Sequence, residues 1–478
     1  MANAVAFAMS ALPFIAQAGT TSSVIDYQNY RDFAENKGQY QSGAINVSVP
    51  RKDGSEVTIA VPVPDFSSTD LIGVGTLIDP SYVTSVKHNK GYNSVTYGGK
   101  AGGNYKLIDR NEHSSSDFHA PRLSKVVTEV APSIQRSSED YFDLNDYALF
   151  ARVGSGTQNI IDKNGHETNL GGAYKWLTGG FILPSSHYNG WNGYPEKTEL
   201  DAIIPFFSRG DALINPDNKL GNFYSPLPIG SNPGDSGSPL WGFNKVKKQW
   251  ELVGVLSQNA GSTGMYFVNI QTPFVKEEMA KDTLPDIINS GTDDILWRGI
   301  SGTGSKGTGI IEQGDKSWLY NGLKSDADLS TATSEDLNFT KHLTFAGEST
   351  VIRLKDSINM GAGKLTFLND YIVTGDTGYE TWVGAGIDIS SDKNVLWQIN
   401  GVKGDNLHKI GQGTLTINGT GVNEGGLKVG DGTVILSQKT DSDGNKQAFS
   451  SVNLASGRAT VVLSDSGQIN PDTVYWGY

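Results

Sequence analysis

Cysteine is absent from all 478 residues, which removes disulfides, thiolate nucleophiles and Cys-ligated zinc together. Two settings remain: a reducing cytosol, or export by a route that a disulfide would obstruct, such as threading unfolded through a membrane pore. Charge is also sparse, with 38 basic against 51 acidic residues and a formal net charge of −13. The densest basic group, Lys245, Lys247 and Lys248, is too small for a phosphate-binding surface, so nucleic acid is set aside as a partner. Long apolar runs are missing too, and nothing approaches the ~18 apolar residues of a membrane-spanning helix. The run "AVAFAMSALPFIAQA" is short and ends in Ala16-Gln17-Ala18. That is a small-x-small signal-peptidase pattern; although no Lys or Arg precedes it, it favours export and marks residues 1–18 as a signal-peptide remnant.

What the chain does have is glycine, 58 residues of it, together with abundant Asn, Asp, Ser and Thr. That mixture favours a β-rich protein with many tight turns, and the length suggests two or three domains. Tyr27, Tyr30, Phe33 and Ala34 share one helical face, with Gly38 as a stop. From Gly43 to about Val268 the apolar runs become short, as in "AINVSVP", "VTIAVPV", "DYALFARV" and "WELVGVL", which reads as an antiparallel barrel or sandwich. Thr272-Pro273 then offers an N-cap and a first-turn proline for a closing helix. The Gly/Ser/Thr stretch around 290–309 marks a boundary, giving a domain over 19–295 and a second over 296–478. In that second part the strands at 363, 413, 432 and 458 have Phe367, Ile417, Leu436 and Leu463 as their last apolar anchors, spaced 50, 19 and 27 apart. With one missed rung, this period suits the coils of a parallel β-helix, a β-sandwich being the alternative. A β-helix needs its N-terminal end covered, and the preceding domain is expected to cap it.

The string Gly234-Asp235-Ser236-Gly237 carries the chemistry. A serine hydroxyl becomes a nucleophile only when an imidazole takes its proton and a carboxylate orients that imidazole. Seven histidines narrow the search. His88 ends the strand-like "PSYVTSVKH" and precedes Ser236, whereas His113, His119, His166 and His187 sit among turn residues and read as solvated. Spacing leans to Asp146, which opens the apolar "DYALFARV", over Asp117. The oxyanion donors follow as the N–H groups of Gly234 and Ser236. The GDSG string resembles that of chymotrypsin-like proteases, a resemblance that implies a primary pocket with its base about six residues before the serine, here Gly230. No carboxylate occurs from Gly221 to Gly234, so a pocket for Lys or Arg is not expected. "WELVGVLSQNAG" resembles the strand of such proteases that pairs with substrate backbone, which implies substrate contact for Ser257, Gln258 and Asn259.

The segments "DYQNYRDFAENKGQYQSGA", "YVTSVKH", "DFHAPRLSKVVTEVAP", "PLPIGSNPGDSGSPL", "LHKIGQGTLTINGTGVNEGGLKVGDGTVILSQ" and "SGRATVVLSDSGQINPDTVYWGY" together resemble the immunoglobulin A protease family of autotransporters, especially its Hap-like adhesion-and-penetration members. The resemblance implies a mainly β chain: a chymotrypsin-like double-barrel serine protease domain followed by the start of a right-handed parallel β-helix, delivered to the cell surface by a C-terminal membrane barrel. It also implies the triad His88, Asp117 and Ser236, overturning the spacing preference for Asp146. No cofactor or metal is expected. The leading reading is a secreted serine endopeptidase acting on host extracellular proteins and possibly on its own passenger. The alternative is an adhesin whose stalk binds host surfaces or sister passengers; a cytosolic hydrolase is distant, since no G-x-S-x-G elbow joins a strand to a helix.

Overall fold

The computed structural model describes residues 19–99, 102–137, 142–184, 187–188, 191–192, 203–207, 213, 217, 219–220, 222–260, 264–321, 336–470 and 475–477. The signal-peptide reading of residues 1–18 therefore lies outside the described residues. Within them no helix is long and apolar enough to cross a membrane, which says nothing of strands.

The chain is mainly β, with two antiparallel sheet units followed by a parallel β-helix. The first unit is a five-stranded sheet in the order Thr76–Asp79, Tyr82–Thr84, Arg122–Leu123, Gly103–Asp109, Ser94–Tyr97. Its small core holds Val74, Leu77, Val83, Val95, Tyr97 and Leu123. The second is a closed barrel in the order Thr178–Pro184, Ile203–Phe207, Gly264–Asn269, Gln249–Ala260, Pro239–Asn244, Tyr147–Gly154. Closure removes the free edges that an open sheet would expose. Tyr147–Gly154 is flanked by strands on both sides and buried almost throughout, which is why its sequence is nearly continuous in apolar residues.

Asp26 caps the first helix, Tyr27–Ala34, by accepting from Gln28 N, and Tyr30, Phe33 and Ala34 are its buried residues. Gly38 lies past the helix end, at φ +59°. A later helix spans Thr272–Lys281; its N-cap is Gln271, one residue ahead of the expected Thr272.

The C-terminal half is a solenoid and not a sandwich, because its strands pair in parallel from coil to coil. Ile417 aligns with Leu436 and Leu436 with Leu463, as the anchor spacing required. Phe367 does not belong to that column. It sits on the other sheet, aligned with Ile389, while the true predecessor of Ile417 is Trp397. Strand alternation shows which residues point inward but not which solenoid face a strand lies on, and this produced the error.

The expected covering of the solenoid's N-terminal end is shared: the last residues of the preceding domain pair with the first rung of one sheet, Leu284 N donating to His342 O and Ile287 N to Thr344 O, and a hairpin covers the other. The hairpin Thr308–Gln313/Lys316–Asn321 flanks the first strand, Ile295–Arg298, on its N-terminal side. Docking is sideways, along residues 122–129. Arg122 Nη2 donates to the carbonyls of Thr340 (2.7 Å) and Ala362 (3.1 Å). Lys125 Nζ reaches the carbonyls of Gly384 (2.8 Å) and Asn406 (3.1 Å), and Glu129 pairs with Lys428. The first four partners, 340, 362, 384 and 406, advance by one 22-residue coil each time, and Lys428 stands on the next coil, aligned with His408. An extended stretch from 122 to 129 covers ~23 Å, against ~19 Å for four inter-coil steps, so the lengths agree. Val126 N donates to Ala385 O (2.9 Å) and accepts at its carbonyl from His408 Nδ1 (2.7 Å). Thr283 and Ile287 already bridge to His342 and Phe345, so the chain begins engaging the solenoid ahead of residue 295.

Candidate active site

Three elements converge at the seam between the two sheet units. The strand Tyr82–Thr84 runs into a turn that ends on His88; the segment before Arg122–Leu123 brings in Asp117; the turn before Pro239–Asn244 carries Ser236. His88 Nε2 lies 2.9 Å from Ser236 Oγ, and His88 Nδ1 lies 2.6 Å from Asp117 Oδ2. The other Asp117 oxygen accepts from His88 N at 3.1 Å, which fixes the carboxylate against the base's own backbone. Burial pushes the Asp117 carboxyl up, but the bonds from His88 Nδ1, from Ser257 Oγ and from His88 N together outweigh it and hold the group below its ordinary value. Asp117 therefore stays ionised beside an imidazole that must become cationic during acid–base chemistry.

The turn that carries Ser236 depends on glycine. Gly234 and Gly237 adopt φ +99° and +86°, a region glycine enters without penalty. A side chain at Gly237 would also collide with Ser85 Oγ and the Val74 carbonyl. Asp235 N is tied to Asn232 O and Gly237 N to Leu256 O. Among the described residues, the N–H groups of Gly234 and Ser236 have no acceptor.

A ring of polar contacts closes beneath this turn. Arg152 Nη2 meets Asp235 Oδ1 at 2.9 Å, with both side chains buried. Arg152 Nη1 donates to Gly230 O (2.7 Å), and Gly230 N donates to Thr20 O (2.8 Å). Asn232 Nδ2 donates to Thr20 Oγ1 (2.9 Å), while Asn232 N returns to Asp235 Oδ2 (2.9 Å). The Gly230 backbone is thus held on both its amide and its carbonyl, next to the N-terminal strand Thr20–Ser22. Asn89 adds a clip across the seam, its Nδ2 donating to Ser236 O at 3.1 Å.

Asp146 lies elsewhere, in the turn that opens the strand Tyr147–Gly154, where its carbonyl accepts from Lys245 N. Ser257 is buried and its hydroxyl donates to Asp117 Oδ2 at 2.6 Å, so the side chain expected on substrate is turned to the carboxylate. Gln258 is exposed on the same strand, while the Asn259 side chain lies outside the described residues. His119, expected to be solvated, is fully buried; Tyr92 OH meets its Nε2 at 2.7 Å, and burial first, then Arg110, pushes its pKa down to about 3. His166 is exposed as expected, His113 is half-buried against Phe274, and the side chain of His187 lies outside the described residues.

Sequence reasoning missed Thr20, Asn89 and Arg152. Arg152 did leave a signal, as a charged residue inside the apolar "YALFARVG"; a buried charge demands a buried partner. Asn89 and Thr20 left none, since each acts through a contact more than a hundred residues away.

Comparison with known proteins gives a consistent set of relatives. Residues 18–273 match the family described as immunoglobulin A1 protease. The serine protease SepA autotransporter of Shigella flexneri is 41% identical over 476 residues, covering 97% of this chain and 32% of its own length. The IgA-specific serine endopeptidase autotransporter of Neisseria gonorrhoeae is 35% identical over 515 residues, covering 99% of this chain and 32% of its own. The chain thus spans about a third of the length of these curated relatives. Among solved structures, the Haemophilus influenzae Hap adhesin superposes with a TM-score of 0.81 at 32% identity, covering 96% of this chain and 50% of that one.

Proposed function

Because the chain belongs to the immunoglobulin A1 protease family, a family of serine protease autotransporter passengers, we propose that it is a serine endopeptidase working through His88, Asp117 and Ser236. The observation that carries this reading is the unbroken hydrogen-bonded chain from Asp117 Oδ2 through both nitrogens of His88 to Ser236 Oγ. Ser236 Oγ attacks the scissile carbonyl as His88 Nε2 takes its proton. Negative charge gathers on the carbonyl oxygen, where the Gly234 and Ser236 N–H groups receive it. His88 then passes the proton to the departing amine, and water, activated by the same nitrogen, releases the acyl group from Ser236.

The substrate is a protein, with its backbone laid along Ser257, Gln258 and Asn259 and its primary side chain directed toward Gly230. The absence of a carboxylate from Gly221 to Gly234 favours residues other than Lys and Arg. The catalytic unit is residues 19–295 and the stalk residues 296–478, in a passenger secreted or displayed at the bacterial surface through the periplasm and outer membrane by its own C-terminal barrel. Host extracellular proteins are the substrate class that this location implies.

Fluorophosphonate labelling tests the reading. The unaltered protein should be labelled at Ser236, and Ser236→Ala should abolish both labelling and peptide hydrolysis, at ~10⁶-fold in turnover, with an unchanged Tm. Near-normal hydrolysis by that variant would refute it.

A further inference from the structure

Tyr174 stands at the edge of the candidate site, in a turn that links strands of two different sheets. It lies between the strands Glu167–Gly171 and Thr178–Pro184, at φ +65° and half-exposed. A bulky non-glycine residue in the left-handed region is an outlier, and such residues persist where surrounding contacts hold them for a purpose. The hold is visible on both sides. Tyr174 N donates to Ser155 O at 2.6 Å, and Trp176, two residues on, is pinned by its Nε1 bond to Tyr27 OH and by Arg31 over its ring. The Tyr174 ring itself is left facing Gly234: a Cβ built on Gly234 would lie 3.7 Å from Tyr174 Cζ and 3.0 Å from Ala173 Cβ. Among the described residues the Tyr174 hydroxyl has no hydrogen-bond partner.

Which part of a substrate would meet this ring follows from the two ends of the turn that carries Ser236. At its far end Gly237 N donates to Leu256 O and Leu256 N to Ser238 O, both at 2.8 Å. That end is sewn to the strand Gln249–Ala260, where the acyl side of the substrate lies in the mechanism above. The near end is Gly234, against Tyr174. A substrate whose carbonyl oxygen sits between the Gly234 and Ser236 N–H groups, with its acyl chain on the strand, sends its departing half toward Tyr174.

We infer that Tyr174 is a specificity-determining residue for the leaving-group side of the substrate: its ring packs on an apolar side chain just beyond the scissile bond, and its hydroxyl is free to bond the departing backbone. This rests on the serine-endopeptidase reading and deepens it.

The experiment uses an internally quenched peptide, chosen from a library for cleavage by the unaltered protein and extending four residues past the cut. It is compared with the p-nitroanilide of the same acyl half and with the rate of fluorophosphonate labelling, neither of which has a peptide beyond the reacting centre. Tyr174→Ala should lower kcat/KM on the peptide about tenfold while the anilide and labelling rates stay within about twofold; Tyr174→Phe should keep most of the peptide rate. Tyr174→Gly, which relieves the positive φ, should behave as Tyr174→Ala, showing that the ring and not the backbone matters. Equal falls on all three probes, or no fall on the peptide, would overturn the inference. Failure of the unaltered protein to label at Ser236 would instead overturn the protease reading beneath it.

Discussion

The barrel half and the solenoid half are built from the same kind of strands, yet they distribute information in opposite ways. In the solenoid each strand pairs with the strand one coil away, so Ile417 meets Trp397 and Leu436, and structure accrues by nearest neighbours. In the barrel half the site is assembled from Thr20, His88, Asp117, Arg152 and Ser236, which no local pattern brings together. The difference teaches that chemistry here depends on non-local contacts, while the stalk offers regularity and a long lateral face. The segment 117–129 joins the two: its first residue is the carboxylate at His88, and its later ones dock on successive coils.

The contrast is sharpest in the choice of carboxylate. Asp117→Asn should lower turnover by about 10⁴-fold, since an amide stabilises the wrong imidazole tautomer, whereas Asp146→Asn should leave steady-state peptide hydrolysis nearly unchanged. The reverse ranking would return the role to the strand-opening aspartate. Expressing residues 19–300 alone asks whether the barrel half is independent of the stalk. Arg122 and Lys125 lose carbonyl partners and Glu129 loses Lys428, so stability should fall by on the order of 5 kcal/mol. Calorimetry would read this as a lowered Tm with weak fluorophosphonate labelling; a fragment as stable and as reactive as the longer chain would break the coupling between the halves.

Arg152→Met probes the ring instead. It strands a buried Asp235 carboxylate and should cost about 3–5 kcal/mol, with labelling lost even below the Tm because the turn carrying the oxyanion donors is no longer braced. A variant that loses stability but labels normally would make Arg152 merely structural. The smallest expected effect is one of pH. His408 is buried at the junction, and burial first, then Lys125 and Lys428, lowers its pKa from 6.5 to about 3. Between those values the unfolded chain binds a proton that the folded chain refuses. This histidine therefore makes stability fall as pH drops through that window, by roughly 1.4 kcal/mol per unit, and has no such effect above it. His408→Gln should flatten that slope in urea titrations from pH 7 to 4; an unchanged slope would assign acid sensitivity to other groups, such as His119 and His342.

Much of this was legible beforehand, for identifiable reasons. Ser236 and Gly234 announce themselves because an oxyanion turn needs glycine at fixed offsets, and His88 because a strand leads into it. The 19- and 27-residue spacings among Ile417, Leu436 and Leu463 were readable because solenoid coils repeat locally. Asp117 was not readable from spacing, since its position is set by the fold of a whole sheet, and only family resemblance pointed to it. Phe367 was put in the wrong column because inward alternation is the same on every solenoid face. His119 was misjudged because a polar residue among turn residues looks exposed until its tertiary partner, here Tyr92, is known, and the bond from Ser257 Oγ to Asp117 left no signal in the sequence.

The ring beneath Ser236 has a temporal meaning as well as a spatial one. It joins Thr20, Gly230, Asn232 and Asp235 through Arg152, so no stretch of chain shorter than 20–235 contains it. Closing a loop of that length must wait until the intervening strands have settled, because its entropy is recovered only when the distant partners meet. A half-folded chain already has its serine but not the brace that fixes the surrounding amides. For the proposed protease, latency would thereby be written into topology: an extended chain lacks the braced turn, and competence arrives only when residues as far apart as 20 and 235 are tied.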